Sequence, residues 1–333
     1  MDLAAPIIAL PHFIAIYNNS SRAITLARGA YWTGRTYKEM RKTKEANQWF
    51  ELAAKHAHTF YGQMAQYELG YKKLKIQQPI ELTNNDIKNL EKFEGPKIID
   101  LLIKYNQNSL AMAYLKNLFS ISKDPLYVAY CMDLLNPVKD ISFKVNAARE
   151  AAFYGVMRFD FGYPAPFNIQ KPLLEPALIY SIIRQESSFD QNAIDVTDGR
   201  GLMQLLPSTA AKMAKSLGVK YDVAALFSDK NYNILLGSKH LADHIKYYNG
   251  SYLLGIPAYN AGTHRVDKWI KQQGDPRKIR NLYQILDWIE KIPFITTRDY
   301  IHRILENLQI YRYMINNDHN LQITKDLTRK NIK

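Results

Sequence analysis

The stretch from Glu175 to Ser188, EPALIYSIIRQESS, sets a carboxylate against a run of bulky apolar residues. At helical spacing Ile179, Ile182, Ile183 and Glu186 occupy i, i+3, i+4 and i+7, one face of a helix expected over about 176–187. Glu186 therefore stands on the apolar stripe. A charge there is costly unless it is compensated, which leaves three states open: an ion pair, a hydrogen-bonded buried acid, or a catalytic acid with a raised pKa.

Outward from this helix the sequence predicts an all-α protein. Before it, RGAYWTGRTYKEMRK (28–42), TKEANQWFELAAKHA (43–57) and FYGQMAQYELG (60–70) read as consecutive helices, with Gly70 as a C-cap. Trp32, Gly34, Tyr37, Ala46, Phe50 and Ala53 follow an aromatic and small-residue pattern like that of tetratricopeptide helix pairs. Amphipathic segments at about 84–93, 97–105, 109–119, 125–135 and 142–155 extend the array into an α-helical solenoid. The segment FGYPAPFNIQKPLLEPALI (161–179), with Pro164, Pro166, Pro172 and Pro176, forbids a continuous helix and marks a boundary between residues 1–163 and 164–333. Beyond it helices are expected at 176–187, 207–217, 231–248, 252–260, 264–273 and 297–315, the last capped by Thr296 or Thr297.

The 333 residues are 47% hydrophobic, ample for a real core, and no apolar run reaches the roughly 18 residues of a membrane span. The start, MDLAAPIIALPHF, has no Lys or Arg ahead of its apolar part and no small-residue cleavage site, so it does not read as a signal peptide. The single Cys131 excludes an internal disulfide and cysteine-rich metal sites. A net charge of +13 suits anionic partners, but no nucleic-acid recognition motif accompanies it. P-loop and dinucleotide motifs are absent, so no cofactor is expected. His240 and His244 have the i, i+4 spacing of helical metal ligands without the glutamate of the zinc-protease pattern; a solvated helix face is the reading, and no metal is expected.

Four segments carry chemistry in a fixed order: RQESSF (184–189), GLMQLLPSTA (201–210), AYNAG (258–262) and IEKIPFITTRDY (289–300). Together they resemble the catalytic domain of the soluble lytic transglycosylases, over about residues 164–315, and the helices of 22–160 resemble the end of that family's ring of helical hairpins and its linker. The resemblance implies a lysozyme-like catalytic domain that cleaves peptidoglycan glycan strands, releasing 1,6-anhydromuramic ends without consuming water. It makes Glu186 the single catalytic acid, later the base. Ser187, Met203, Gln204, Tyr259, Asn260 and Glu290 become substrate-binding residues, and Arg298 and Tyr300 are either groove residues or caps of the last helix, the cap being the preferred reading. The bottom-up reading agrees for Glu186, since a carboxyl closing an apolar stripe is desolvated and stays protonated.

The resemblance further implies a periplasmic or cell-envelope site and an N-terminally shortened chain, with peripheral association at the envelope membrane left open. The sequence departs from the family pattern in AIDVTDGRG (193–201), which carries Asp195 and Asp198, and in AYNAGTH, which places Thr263 and His264 where proline and glycine are usual. Two other readings follow. One is a muramidase like the goose-type lysozymes, with an aspartate orienting water; the other is a scaffold that binds glycan strands without cutting them.

Overall fold

A computed structural model describes residues 4–169 and 172–330; residues 1–3 of the apolar start and Gln170–Lys171 of the proline-rich segment lie outside the described residues. The architecture is all-α. Among the described residues strand pairing is limited to isolated bridges. The chain divides into two compact units, the first running to Ala57 and resuming over Lys75–Ala165, the second formed by His58–Leu74 and the chain from Pro166 onward.

Helices α1 (Ala4–Asn18), α2 (Ala23–Glu39) and α3 (Thr43–Ala54) open the first unit. Short loops of this kind make neighbouring helices pack pairwise. Gly34 shows why the small-residue pattern matters: a Cβ there would lie 2.8 Å from the Phe50 ring and 3.0 Å from the Ala46 carbonyl, so α2 and α3 touch through it. The α1 segment is helical despite Pro11, and it is an element that the sequence reading leaves without structure.

The next helix, α4 (Phe60–Glu68), belongs to the second unit. The first unit then continues with α5 (Asn84–Leu90), α6 (Glu94–Lys104), α7 (Asn108–Ser122), α8 (Pro125–Asp133), α9 (Ile141–Phe153) and α10 (Phe159–Gly162). Thr83, Asp124 and Asp140 cap α5, α8 and α9 by accepting backbone N–H bonds. Their apolar faces meet in one core around Ile99, Leu115, Phe119, Met132 and Leu135, with Cys131 buried in it.

The second unit comprises α4, α11 (Pro176–Glu186), α12 (Pro207–Leu217), α13 (Ala225–Ser228), α14 (Lys230–Tyr247), α15 (Tyr252–Ala261), α16 (Thr263–Gln273), a 3₁₀ turn at Pro276–Lys278, α17 (Leu282–Glu290), α18 (Ile295–Asn316) and α19 (Ile323–Thr328). The buried face of α11, from Ala177 to Ile183, packs on α18. α17, which the sequence reading passes over, presents Ile285, Leu286, Trp288 and Ile289 to the core.

Residues 58–74, which the sequence reading counts with the first segment, are fastened to the second unit at both ends. The Phe60 N–H donates to Glu306 at 2.6 Å and Gln63 Nε2 to the Glu306 carbonyl at 3.1 Å. At the other end Leu74 N donates to the His319 carbonyl and Leu321 N to the Lys72 carbonyl, at 2.7 and 2.9 Å. Hydrophobic periodicity announces an amphipathic helix but not which core it covers, so this placement is invisible in the pattern.

Candidate active site

Glu186 is the last residue of α11. The chain then turns through Ser187 into Ser188 and Phe189, two consecutive left-handed residues with φ of 52° and 69°. Such conformations cost on the order of 1–2 kcal/mol each for non-glycine residues. Burial of Phe189 beside the Phe167 and Tyr180 rings, with centroids 6.1 and 6.2 Å away, offsets that cost. The turn ends the helix abruptly and leaves the Glu186 carboxyl at its tip.

Ser187 fixes this turn from within. Its hydroxyl donates to the Leu202 carbonyl at 2.9 Å and accepts the Phe189 N–H at 3.1 Å, tying RQESSF to GLMQ. The GLMQ loop is held in turn by Asn233 of α14, a fully buried amide. Asn233 accepts the Met203 N–H at 2.9 Å and donates to the carbonyls of Arg200 and Leu226 at 3.0 and 2.9 Å. Gly201 has φ of +71°, and a Cβ there would stand 2.3 Å from the Leu226 carbonyl and 2.4 Å from the Asn233 amide, so no other residue fits.

The Met203 side chain is fully buried against Gly237 rather than lining an open surface. What Met203 presents to the site is its carbonyl, which accepts the Tyr259 hydroxyl at 2.7 Å. Gln204, at φ of 48°, spends its Nε2 on the carbonyls of Ala193 and Gly201 at 3.0 and 2.8 Å.

The carboxyl itself has one close partner. Tyr300 of α18 donates its hydroxyl to Glu186 Oε1 at 2.5 Å. Burial, opposed by that hydrogen bond and assisted by the charge of Asp195, pushes Glu186 up from 4.5 to about 7. Tyr259 and Tyr300 are themselves held well above 10 by burial and the nearby Glu186 charge, so both phenols are protonated donors. The charge of Glu186 thus reaches Tyr259 as well as Tyr300.

Tyr300 does not cap α18, as the sequence reading has it, and neither Thr296 nor Thr297 does. The cap residue is Phe294, and the Thr297 hydroxyl is bonded to Asn260 Oδ1 at 3.0 Å. Tyr300, Ile304 and Asn307 share one face of α18, all buried, so the apolar-stripe argument that singles out Glu186 also reaches this tyrosine. Asn233 and Tyr61 carried no comparable signal.

Glu290 closes α17 and is partly buried. The hydroxyl of Tyr61, on α4, donates to its carboxylate, His302 Nε2 lies 3.6 Å from the same oxygen, and Arg298 donates to its backbone carbonyl at 2.7 Å. The loop aspartates are engaged in their own turn. Asp195 accepts from the N–H groups of Thr197 and Gly199, both at 2.8 Å, and Asp198 pairs with Arg200 at 2.8 Å. Chemically, the arrangement is a carboxyl that exchanges between its acid and carboxylate forms near pH 7, in a desolvated site beside two phenols.

Residues 165–282 match the Transglycosylase SLT domain family. A putative soluble lytic murein transglycosylase of Haemophilus influenzae is 31% identical over 187 residues, 55% of this chain and 30% of that protein. The soluble lytic murein transglycosylase of Escherichia coli K12 is 28% identical over 136 residues, 40% of this chain and 20% of that one. Among solved structures, an inactive variant of the lytic transglycosylase Slt from Pseudomonas aeruginosa superposes with a TM-score of 0.67 at 23% identity, over 89% of this chain and 47% of its own. The 70-kDa soluble lytic transglycosylase of E. coli gives 0.68 at 20% identity, over 92% and 48%. The chain therefore spans less than half of these proteins, and the structural likeness speaks for the fold.

Proposed function

We propose, from the match of residues 165–282 to the Transglycosylase SLT domain and the likeness to soluble lytic murein transglycosylases, that the chain cleaves the β-1,4 bond between N-acetylmuramic acid and N-acetylglucosamine in peptidoglycan and leaves a 1,6-anhydro end. The observation that carries this reading is Glu186, a carboxyl pushed up to about 7 by burial, beside two protonated tyrosines.

Protonated Glu186 gives its proton to the glycosidic oxygen as the bond to C1 breaks, and the substrate's own N-acetyl group stabilises the positive charge developing at C1. The resulting carboxylate then takes the proton of the muramyl 6-hydroxyl while O6 bonds to C1. Each proton is accounted for, water is not consumed, and the acid returns to its starting form. A second carboxylate, which glycoside hydrolysis commonly uses, is unnecessary because the nucleophile belongs to the substrate.

Tyr300, bonded to Oε1, turns the other carboxyl oxygen toward the sugar and helps hold the ionised form midway through the cycle. Tyr259, anchored by the Met203 carbonyl, flanks the reacting bond. Ser187 and Met203 act on substrate position through the loop they brace, the carbonyl end of Gln204 accepts from sugar hydroxyls, and the Asn260 amide donates to them. Glu290, oriented by Tyr61, meets the peptide stem. The working place is the cell envelope, in the periplasm, where a basic surface favours an anionic wall polymer; no helix among the described residues is long and apolar enough to cross a membrane.

The test is digestion of purified peptidoglycan in ¹⁸O-labelled water, with the new ends identified by mass spectrometry. Unlabelled 1,6-anhydromuramic ends are expected. Label in most new ends, lost in Asp195→Asn, would make the chain a hydrolase that uses the one carboxylate whose charge Glu186 feels. Binding without new ends would make it a scaffold.

A further inference from the structure

Helix α14 presents an arrangement that the proposed reaction does not use. His240 and His244, four residues apart, turn their Nε2 atoms toward each other at 3.1 Å, with ring centroids 4.3 Å apart. The solvated face expected from the sequence is not what surrounds them. Both rings are partly buried, and His240 packs against the Tyr259 ring of α15 with centroids 5.2 Å apart.

Two imidazole nitrogens bound to one ion at about 2.0–2.1 Å, with an angle of roughly 90–110° between the bonds, lie about 2.9–3.4 Å apart. The observed separation falls inside that window. We propose that His240 and His244 are a two-histidine chelate for a borderline transition-metal dication of the Zn²⁺ or Ni²⁺ type, its remaining positions completed by water.

The charges around the pair are mixed. Asp243 on the same helix favours a cation, while Lys212 from α12 opposes it; Lys239 is drawn onto the Asp243 carboxylate at 2.6 Å, and Tyr259 from α15 is neutral. Among the described residues no third His, Cys, Asp or Glu joins the pair, so it is a chelate on a helix face and not a closed structural site. Imidazole must be neutral to bind metal. Without metal the same separation suits an N–H···N hydrogen bond, and binding asks only that the donor ring move its hydrogen to Nδ1.

Calorimetric titration of the chelator-stripped full chain with ZnCl₂ at pH 7 tests this on the wild type, His240→Gln and His244→Gln. One equivalent should bind to the wild type. Either substitution should weaken that equivalent at least tenfold, with circular dichroism unchanged. Should one variant unfold, the other decides. An isotherm unaltered by both substitutions, or no bound equivalent in the wild type, overturns the proposal and leaves the pair as a neutral hydrogen bond.

Discussion

The two units bury polar groups in opposite ways. In the first unit the buried polar side chains are Thr33, Arg35 and Thr36, all on α2, and the two threonine hydroxyls bond back to their own helix, at the carbonyls of Gly29 and Trp32. In the second unit Arg184, Glu306, Asn307, Gln309, Arg312 and Asp326 are all buried, and their bonds join parts of the chain far apart in sequence. Arg184 donates to Asn307 at 3.0 Å, Glu306 accepts from Phe60, and Arg312 holds Glu175 and Asp326 together with four bonds of 2.7 to 2.9 Å. The first unit buries one charged side chain, Arg35, which pairs with Glu39 one turn on. The second buries a larger set of charges tied across the chain and is the unit that contains Glu186.

The largest effect that would break this contrast is at Glu186 itself. Glu186→Gln should lower lysis of purified peptidoglycan by about 10²–10⁴-fold, since the amide cannot transfer a proton. It should also stabilise the protein. A carboxyl raised to about 7 when folded, against 4.5 unfolded, contributes fully only below 4.5, and that contribution is lost as pH rises through 7. The variant's advantage in urea unfolding should therefore open between those values and level off near ~3 kcal/mol above them. Equal stability at pH 8 would mean that Glu186 is not desolvated.

Next comes Arg312→Met, which leaves Glu175 and Asp326 facing each other without their common partner. Breaking a buried ion pair costs about 3–5 kcal/mol, and a loss below 1 kcal/mol in chemical denaturation would show that the second unit does not depend on this buried charge network. On the other side of the comparison stands Gly34→Ala. The added methyl meets Phe50 and the Ala46 carbonyl, and overpacking of this kind costs about 1–3 kcal/mol. The melting temperature should fall with lysis unchanged, and a loss of lysis in the folded variant would tie the first unit to the reaction.

The smallest and sharpest test is Tyr300→Phe. The hydroxyl favours ionised Glu186, so its removal should move the alkaline limb of the activity profile upward from about pH 7, by up to about one unit. A downward move would reverse the assigned role of the bond.

The way each unit satisfies its polar groups also explains what could be read in the chain. Helices stabilised by local contacts write themselves into periodicity and caps. The sequence places α2, α3, α5 to α9, α11, α12 and α14 to α16 within a few residues of their bounds, and Gly218 and Gly274 stand at the C-caps of α12 and α16. Elements α1 and α17 were less legible. Proline interrupts the first pattern, at Pro11, and the second is nine residues long, little more than two turns. At the site, Glu186 announced itself because a carboxylate on an apolar stripe is anomalous in one dimension.

What sequence alone determined, then, is the all-α class, the succession of helices, and the place of Glu186 on an apolar stripe together with the motifs around it. These depend on spacing within one segment, which the helical repeat of 3.6 residues makes readable. Tertiary structure decided the rest. It brought Tyr300 onto Glu186 across 114 residues and Tyr61 onto Glu290 across 229, buried Asn233 under the GLMQ loop, and gave residues 58–74 to the second unit. A hydrogen bond between distant residues has no period and leaves no trace in local composition. Its partners are chosen by which surfaces the packed helices leave facing each other, and only the folded chain holds that information.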